Sequence, residues 1–428
     1  MAATRTDPTP ARWTLGVLVV FCAVGFGFGN WLSRLPAVRD HLGATTFEMS
    51  IIGLAMAAGA VIGLVVSGRT VTWLGPRKAM MLAAIGQTIF MPLATTLFWV
   101  EAAPAAMIVI AMFGFSFSTG DVAMNVSGAA AERALGKPRM PLLHGGYSLG
   151  SVLAMGTGAL AEVAHVPVPI HLSIVFAIIV TAVLLACTQI PRVEPDEHPS
   201  EQTMIPVSPA TGPIQILSVP TTAPEPTSAP AQPKRYNPWR DPRIIVIGLI
   251  AMSLSLSEGT ATDWMPLALT DQRAFSNSTA ALALGVFYVA MMSTRATGSA
   301  LLMRFGRVVV LRAGAAVSIV GIVLMWALPF TWAGFVCAGL WGAGSALGFP
   351  IGVSAAADDP KKAVRGVATV STIAYAAFLV GPVAIGIIGE HFGLLTAFLP
   401  LTAFLVFVLF AAGTAREPGQ SANARKTA

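Results

Sequence analysis

Long apolar blocks alternate with short polar breaks along the chain. Each block is about 20 residues, the length an α-helix needs to cross a hydrocarbon core of ~30 Å. After a polar, basic start (1–13), blocks fall near 14–32, 48–67, 79–98, 104–130, 142–163 and 170–190. The pattern then stops. Residues 191–242 are rich in Pro, Thr, Ser and charge, as in Thr221-Thr-Ala-Pro-Glu-Pro-Thr-Ser-Ala-Pro230, and carry little apolar periodicity. They predict a disordered linker. Six more blocks follow, near 243–266, 279–303, 309–329, 331–353, 365–388 and 392–412, then a polar tail. No block shows the period-2 alternation of a barrel strand, so helix is the remaining way to satisfy backbone polar groups in lipid. The first block is too long for a secretory leader and ends without a small-residue cleavage site, so it reads as a retained span. The expected architecture is an all-α membrane protein of twelve transmembrane helices: a six-helix bundle over 1–190, a cytoplasmic linker over 191–242, a second bundle over 243–413 and a disordered cytoplasmic tail over 414–428.

Composition agrees with that class. Of 428 residues, 55% are hydrophobic and 11% charged, against roughly 25% charged in soluble domains. Of the 26 Lys and Arg, Arg34, Arg39 and Arg273 lie on one side of the expected spans and Arg295 lies inside one. The other 22 fall in the N-terminus, the loops after even-numbered spans, the linker and the tail. By the positive-inside rule both termini and the linker are cytoplasmic. The sequence pI of about 9.5 is therefore a topology signal, and no basic face remains for nucleic acid. Cys22, Cys187 and Cys337 sit in apolar runs without CxxC spacing, so neither a disulfide framework nor a metal site is expected. Phosphate-loop, GxSxG and HExxH motifs are missing. No enzyme activity and no cofactor are expected, and the energy for transport should come from an ion or solute gradient.

The two halves repeat. Trp31 in Asn-Trp-Leu-Ser matches Trp264 in Asp-Trp-Met-Pro. Each is followed by a short loop, a span and a glycine-basic turn, Leu74-Gly75-Pro76-Arg77-Lys78 and Phe305-Gly306-Arg307. His144-Gly-Gly-Tyr147 through Glu162 parallels Thr372-Ile-Ala-Tyr375 through Glu390, with Gly158 and Gly386 in register. A parallel duplication of six spans is the pattern of major-facilitator transporters. The chain resembles that superfamily over nearly its whole length outside the linker and tails. The family's loop signature, Gly-x-x-x-Asp-Arg-x-Gly-Arg-Arg/Lys, is approximated by Gly68-Arg-Thr-Val-Thr72-Trp73-Leu-Gly75-Pro76-Arg77-Lys78 and, in the second half, by Ser299-Ala-Leu-Leu-Met303-Arg304-Phe-Gly306-Arg307. The resemblance implies gating roles for Gly68, Gly75, Arg77, Arg304, Gly306 and Arg307. Both copies lack the acid of the family's latch; Thr72 stands at that place and could cap a helix end. Asp121-Val-Ala-Met-Asn125 in span 4 matches the Glu-x-x-x-Asn spacing of the fucose-permease-like branch, and Glu258-Gly-x-x-x-Asp263-Trp264 resembles uncharacterised bacterial members near it.

As a helix, span 4 places Gly114, Ser118, Asp121, Asn125 and Gly128 on one stripe. A carboxylate inside an apolar run is costly and marks either a proton or substrate site or a permanent interhelical tether. Asp121 is the expected proton-coupling residue, with Glu258 the second. Glu258 and Arg295 each lie about fifteen residues into neighbouring spans and either pair structurally or share a substrate. Asn30, Trp31, Asn125, Tyr147, Arg295 and Tyr375 are the expected cavity-lining and substrate-binding residues, although tyrosines near span ends also serve as interfacial anchors. Arg34 and Asp263, toward the outer ends of spans 1 and 7, are a candidate external gate. The function these readings support is secondary active transport of a small solute by alternating access in the bacterial cytoplasmic (inner) membrane. Proton symport of a sugar-like solute is the first expectation, proton-antiport efflux of a drug or metabolite the alternative, and a non-transporting sensor or scaffold the third. The expected partners are the solute, protons and the lipid bilayer, and the expected working unit is a monomer.

Overall fold

The computed structural model describes residues 8–136, 139–191, 237–359 and 362–417. Most of the expected linker and the end of the tail lie outside them. In chain order the helices are α1 (Pro10–Ser33), α2 (Leu35–Leu42), α3 (Thr46–Leu74), α4 (Pro76–Trp99), α5 (Ala103–Leu135), α6 (Met140–Val163) and α7 (Val168–Cys187) in the first half. The second half holds α8 (Pro242–Arg273), α9 (Asn277–Ala327), α10 (Thr331–Ser345), α11 (Gly348–Ala356), α12 (Ala363–Phe392), α13 (Leu394–Ala397) and α14 (Pro400–Ala411). Ten helical segments among the described residues are long and apolar enough to cross a membrane. The 51-residue α9 is broken into two helices at Gly306, and α6 adds 24 residues, about 36 Å at 1.5 Å per residue. That makes twelve passes among the described residues, so the first and last described residues lie at one face, the terminal face.

Local chemistry sets the helix ends. Thr45 and Glu48 form a reciprocal capping box at the start of α3, Asp241 accepts from Arg243 N to cap α8, and Ser276 accepts from Thr279 N to cap α9, each meeting an otherwise orphaned donor. Prolines occupy the first turns of α1, α4, α8 and α14, where no backbone donor is lost. The turn between α3 and α4 passes through Gly75 at φ 77, ψ 154, and α9 breaks at Gly306 at φ 75, ψ 165. This is a region open essentially to glycine alone, and it occurs at the same place in both repeats.

Helix packing follows the duplication. Within the first half, α1 lies against α6; a Cβ at Gly25 would sit 2.1 Å from the Tyr147 carbonyl oxygen, so only a small residue permits that approach. Between halves, α6 packs on α9, and α12 packs on α3, which is the same pairing seen from each repeat. Polar contacts reinforce the join. Arg39 pairs with Asp271, Asn277 Nδ2 donates to Asp40 and to Glu162, each at 3.1 Å, and Phe47 N donates to Glu390 at 3.0 Å. All of these lie at the face opposite the termini.

Candidate functional site

A cavity of about 140 Å³ opens between α1, α3, α5 and α8, with Pro382 of α12 at its edge. Its wall is largely aromatic and aliphatic, including Phe28, Trp31, Met56, Phe113, Phe117 and Trp264. Ser118, Thr262 and Asp263 supply the polar side chains. Phe28 and Phe117 meet with ring centroids 4.9 Å apart. Asp263 is half-buried; among the described residues its only hydrogen bond is a long one from Thr262 Oγ1, 3.5 Å. Gly114 and Ser118 bring the span 4 stripe to this wall. Asp121 and Asn125, farther along the stripe, lie beyond it.

Asp121 and Asn125 are 3% and 2% exposed. Asn125 Nδ2 donates to the Asp121 carbonyl at 2.9 Å and more weakly to Asp121 Oδ1 at 3.4 Å. Among the described residues Asp121 Oδ2 and Asn125 Oδ1 have no partner, and no cation pairs with Asp121. Glu258, 2% exposed, is different: Arg295 Nη2 reaches both its oxygens, at 3.2 and 3.3 Å, and Arg295 Nε donates to the Ala346 carbonyl at 3.1 Å. Two tyrosines, Tyr147 and Tyr288, are buried near these centres. Tyr147 lies within electrostatic reach of Asp121, Glu258 and Arg295, and Tyr288 within reach of Tyr147, Glu258, Asp263 and Arg295. The structure thus gathers a charged centre from α5, α6, α8 and α9, beside the apolar cavity. Tyr288 was not among the expected residues; its helical spacing from Arg295 was the available signal. Tyr375 has no described side chain, so its expected role lies outside the described residues.

Some expected placements change. Asn30, expected to line the cavity, is fully buried: it donates to the Phe26 carbonyl at 2.9 Å and accepts from Thr157 Oγ1 at 3.0 Å. The small-residue edge of α1 brings α6 close enough to take it. Arg34 does not meet Asp263. It leaves α1 at φ −106, ψ 3 and pairs with Glu162 at 3.0 Å and the Val166 carbonyl at 2.9 Å. Its Nε and Nη1 remain unbonded. Thr72 bonds back to the Gly68 carbonyl at 2.6 Å within α3 and caps nothing. At the terminal face, Arg77 donates to the Ile190 carbonyl at 3.0 Å, Arg304 is exposed over the Phe305 ring at 5.3 Å, and Asp358 is held between Arg307 and Arg243, 2.8 Å from each. The residues joining the halves, Arg39, Asp40, Asp271, Asn277 and Glu390, were missed as gates because they sit at helix ends and loops, where periodicity carries no information.

Comparison with known proteins agrees with the fold. The model of the Major Facilitator Superfamily matches residues 247–428. An uncharacterized transporter, y4wD, of Sinorhizobium fredii (strain NBRC 101917 / NGR234) is 31% identical over 386 residues, covering 89% of this chain and 92% of the relative. The crystal structure of the nucleoside transporter NupG superposes with a TM-score of 0.71 at 13% identity, covering 95% of this chain and 98% of that one. The fucose:proton symporter FucP of E. coli superposes at 0.57 and 15% identity, covering 94% and 98%; both are likenesses of fold. The relatives are transporters rather than enzymes, and by the twelve passes, the repeated halves and the full-length likeness to y4wD, the chain belongs to the major facilitator superfamily and carries a small solute across a membrane.

Proposed function

We propose that this transporter is proton-coupled, with Asp121 taking up and returning the proton. The observation that carries the reading is the contrast between two buried acids. Glu258 is neutralised in place by Arg295, whereas Asp121 has only Asn125 and one unbonded oxygen. A lone charge in a membrane interior is costly and is retained where it works. Tyr147, buried near both Asp121 and the Glu258–Arg295 pair, is where the protonation state of Asp121 would be felt by the second half.

The solute occupies the cavity between α1, α3, α5 and α8. A solute with an apolar face and few polar groups suits that wall better than the sugar suggested by span 4, because a sugar would leave most hydroxyls without partners. The chain sits in the bacterial cytoplasmic membrane as a monomer with its terminal face inside, and the contacts between halves then close the outer side. Symport is the first reading. Antiport export is the second, and the aromatic wall favours it.

The test is accumulation in proteoliposomes under an imposed pH gradient, with a panel of nucleosides, hexoses and aromatic amines. Wild type should move a solute uphill, and the sign of the effective gradient gives symport or antiport. Asp121→Asn should lose uphill movement yet still exchange labelled for unlabelled solute. Uphill movement by Asp121→Asn equal to wild type would remove Asp121 from the coupling step.

A further inference from the structure

The cavity wall carries a carboxylate that the coupling centre does not use. Asp263 lines the cavity, keeps only the long bond from Thr262, and has no Lys, Arg or His ion-paired with it among the described residues. Its expected partner, Arg34, is taken by Glu162. Arg295, within α9, is taken by Glu258. Beside Asp263, Trp264 is 3% exposed, lines the same cavity, and its Nε1–H has no acceptor. Trp31, Phe28, Phe113 and Phe117 complete an aromatic surround.

We propose that this cavity is a binding site for a small cationic amine: Asp263 accepts from the ammonium, the aromatic rings face its positive charge, and Trp264 Nε1 donates to an acceptor elsewhere on the solute. The chemistry selects this class over the others. A carboxylate open to the cavity repels an anion. A polyol would find Ser118, Thr262, Asp263 and the indole N–H but otherwise only apolar wall, leaving several hydroxyls unbonded. A cation gains from both the carboxylate and the ring faces, and more so away from water.

The inference rests on the solute using this cavity, and its test is independent of proton coupling because it needs no gradient. Phenethylamine, 2-phenylethanol and phenylacetate are near-isosteric probes that carry a positive charge, none and a negative charge. Each is titrated into the full-length protein in lipid nanodiscs by calorimetry. Wild type should bind phenethylamine at least about tenfold more tightly than the other two. Asp263→Asn should lose about tenfold for the amine and little for the alcohol, while Asp263→Glu keeps the preference and so excludes misfolding as the cause. Equal binding of all three probes, no amine binding by folded wild type, or an Asp263→Asn affinity within about twofold of wild type overturns the proposal. Amine binding that holds while pH-driven transport fails would sink the coupling role of Asp121 alone. Uphill transport of a neutral solute, unchanged in Asp263→Asn, would sink the amine site alone.

Discussion

Glu258 and Arg295 behave as a unit, and their removal should show it. Taking away one partner strands a buried charge, a loss of roughly 3–5 kcal/mol, whereas replacing both with apolar residues is often neutral. Arg295→Met should therefore lower the melting temperature of the purified protein clearly, and Glu258→Leu with Arg295→Met should recover most of it. If the double variant also transports, the pair is structural; if it is stable but inactive, the pair handles solute or proton. Buried acids were legible in the sequence because a charge in an apolar run has few explanations. Their partners were legible only in part. Helical spacing put Asn30 and Arg34 on one face of span 1, but it could not show that the chain leaves the helix at Arg34, nor that Thr157 and Glu162 of α6 would claim both side chains. Such pairings depend on which helix lies alongside, and one chain's periodicity does not encode that.

Gly75 and Gly306 act at the scale of the element. Each turns the chain at the terminal face with nearly the same backbone angles, and a side chain there costs about 1–3 kcal/mol. Gly306→Ala should reduce the thermal stability of the protein by that order, and Gly306→Asn should reduce it about as much, because asparagine tolerates positive φ mainly at the left-handed helical ψ of ~30–60° and not at ψ 165; calorimetric unfolding in detergent measures both. The twelve spans were legible to within several residues because twenty apolar positions in a row are a strong signal. The breaks inside spans were not. The turn at Ala346–Leu347 between α10 and α11 and the one-turn α13 leave hydropathy almost unchanged. Conversely, α6 carries Ser148, Ser151 and Thr157, yet it spans, because those hydroxyls bond to its own backbone or to α1.

At the scale of the whole molecule, one face is fastened across the halves and the cavity lies behind it. Breaking the fastening should expose the cavity from that side. With Cys22, Cys187 and Cys337 replaced, a single cysteine at Met49, which lines the cavity near the start of α3, should react slowly with a membrane-impermeant maleimide. Arg39→Ala with Asn277→Ala should raise that rate several-fold, and an unchanged rate would mean that these contacts do not hold the halves shut. The duplication made the two-bundle architecture readable, since a repeat of six spans admits few arrangements. The fastening was not readable, because its members come from six separate helix ends that meet only after the bundles have docked.

The same fastening has an environmental consequence. Arg39 and Asp271 keep 15% and 33% of their side-chain surface open, and Asp40 keeps 49%. Pairs this wet weaken as salt shortens the Debye length from ~10 Å at 0.1 M to ~3 Å at 1 M. The closed state should therefore be favoured in dilute media and lose ground in brine, so the Met49→Cys labelling rate should climb with sodium chloride. A carrier built this way would answer to the salinity on its fastened side through the fit of its own lid, without any dedicated sensor.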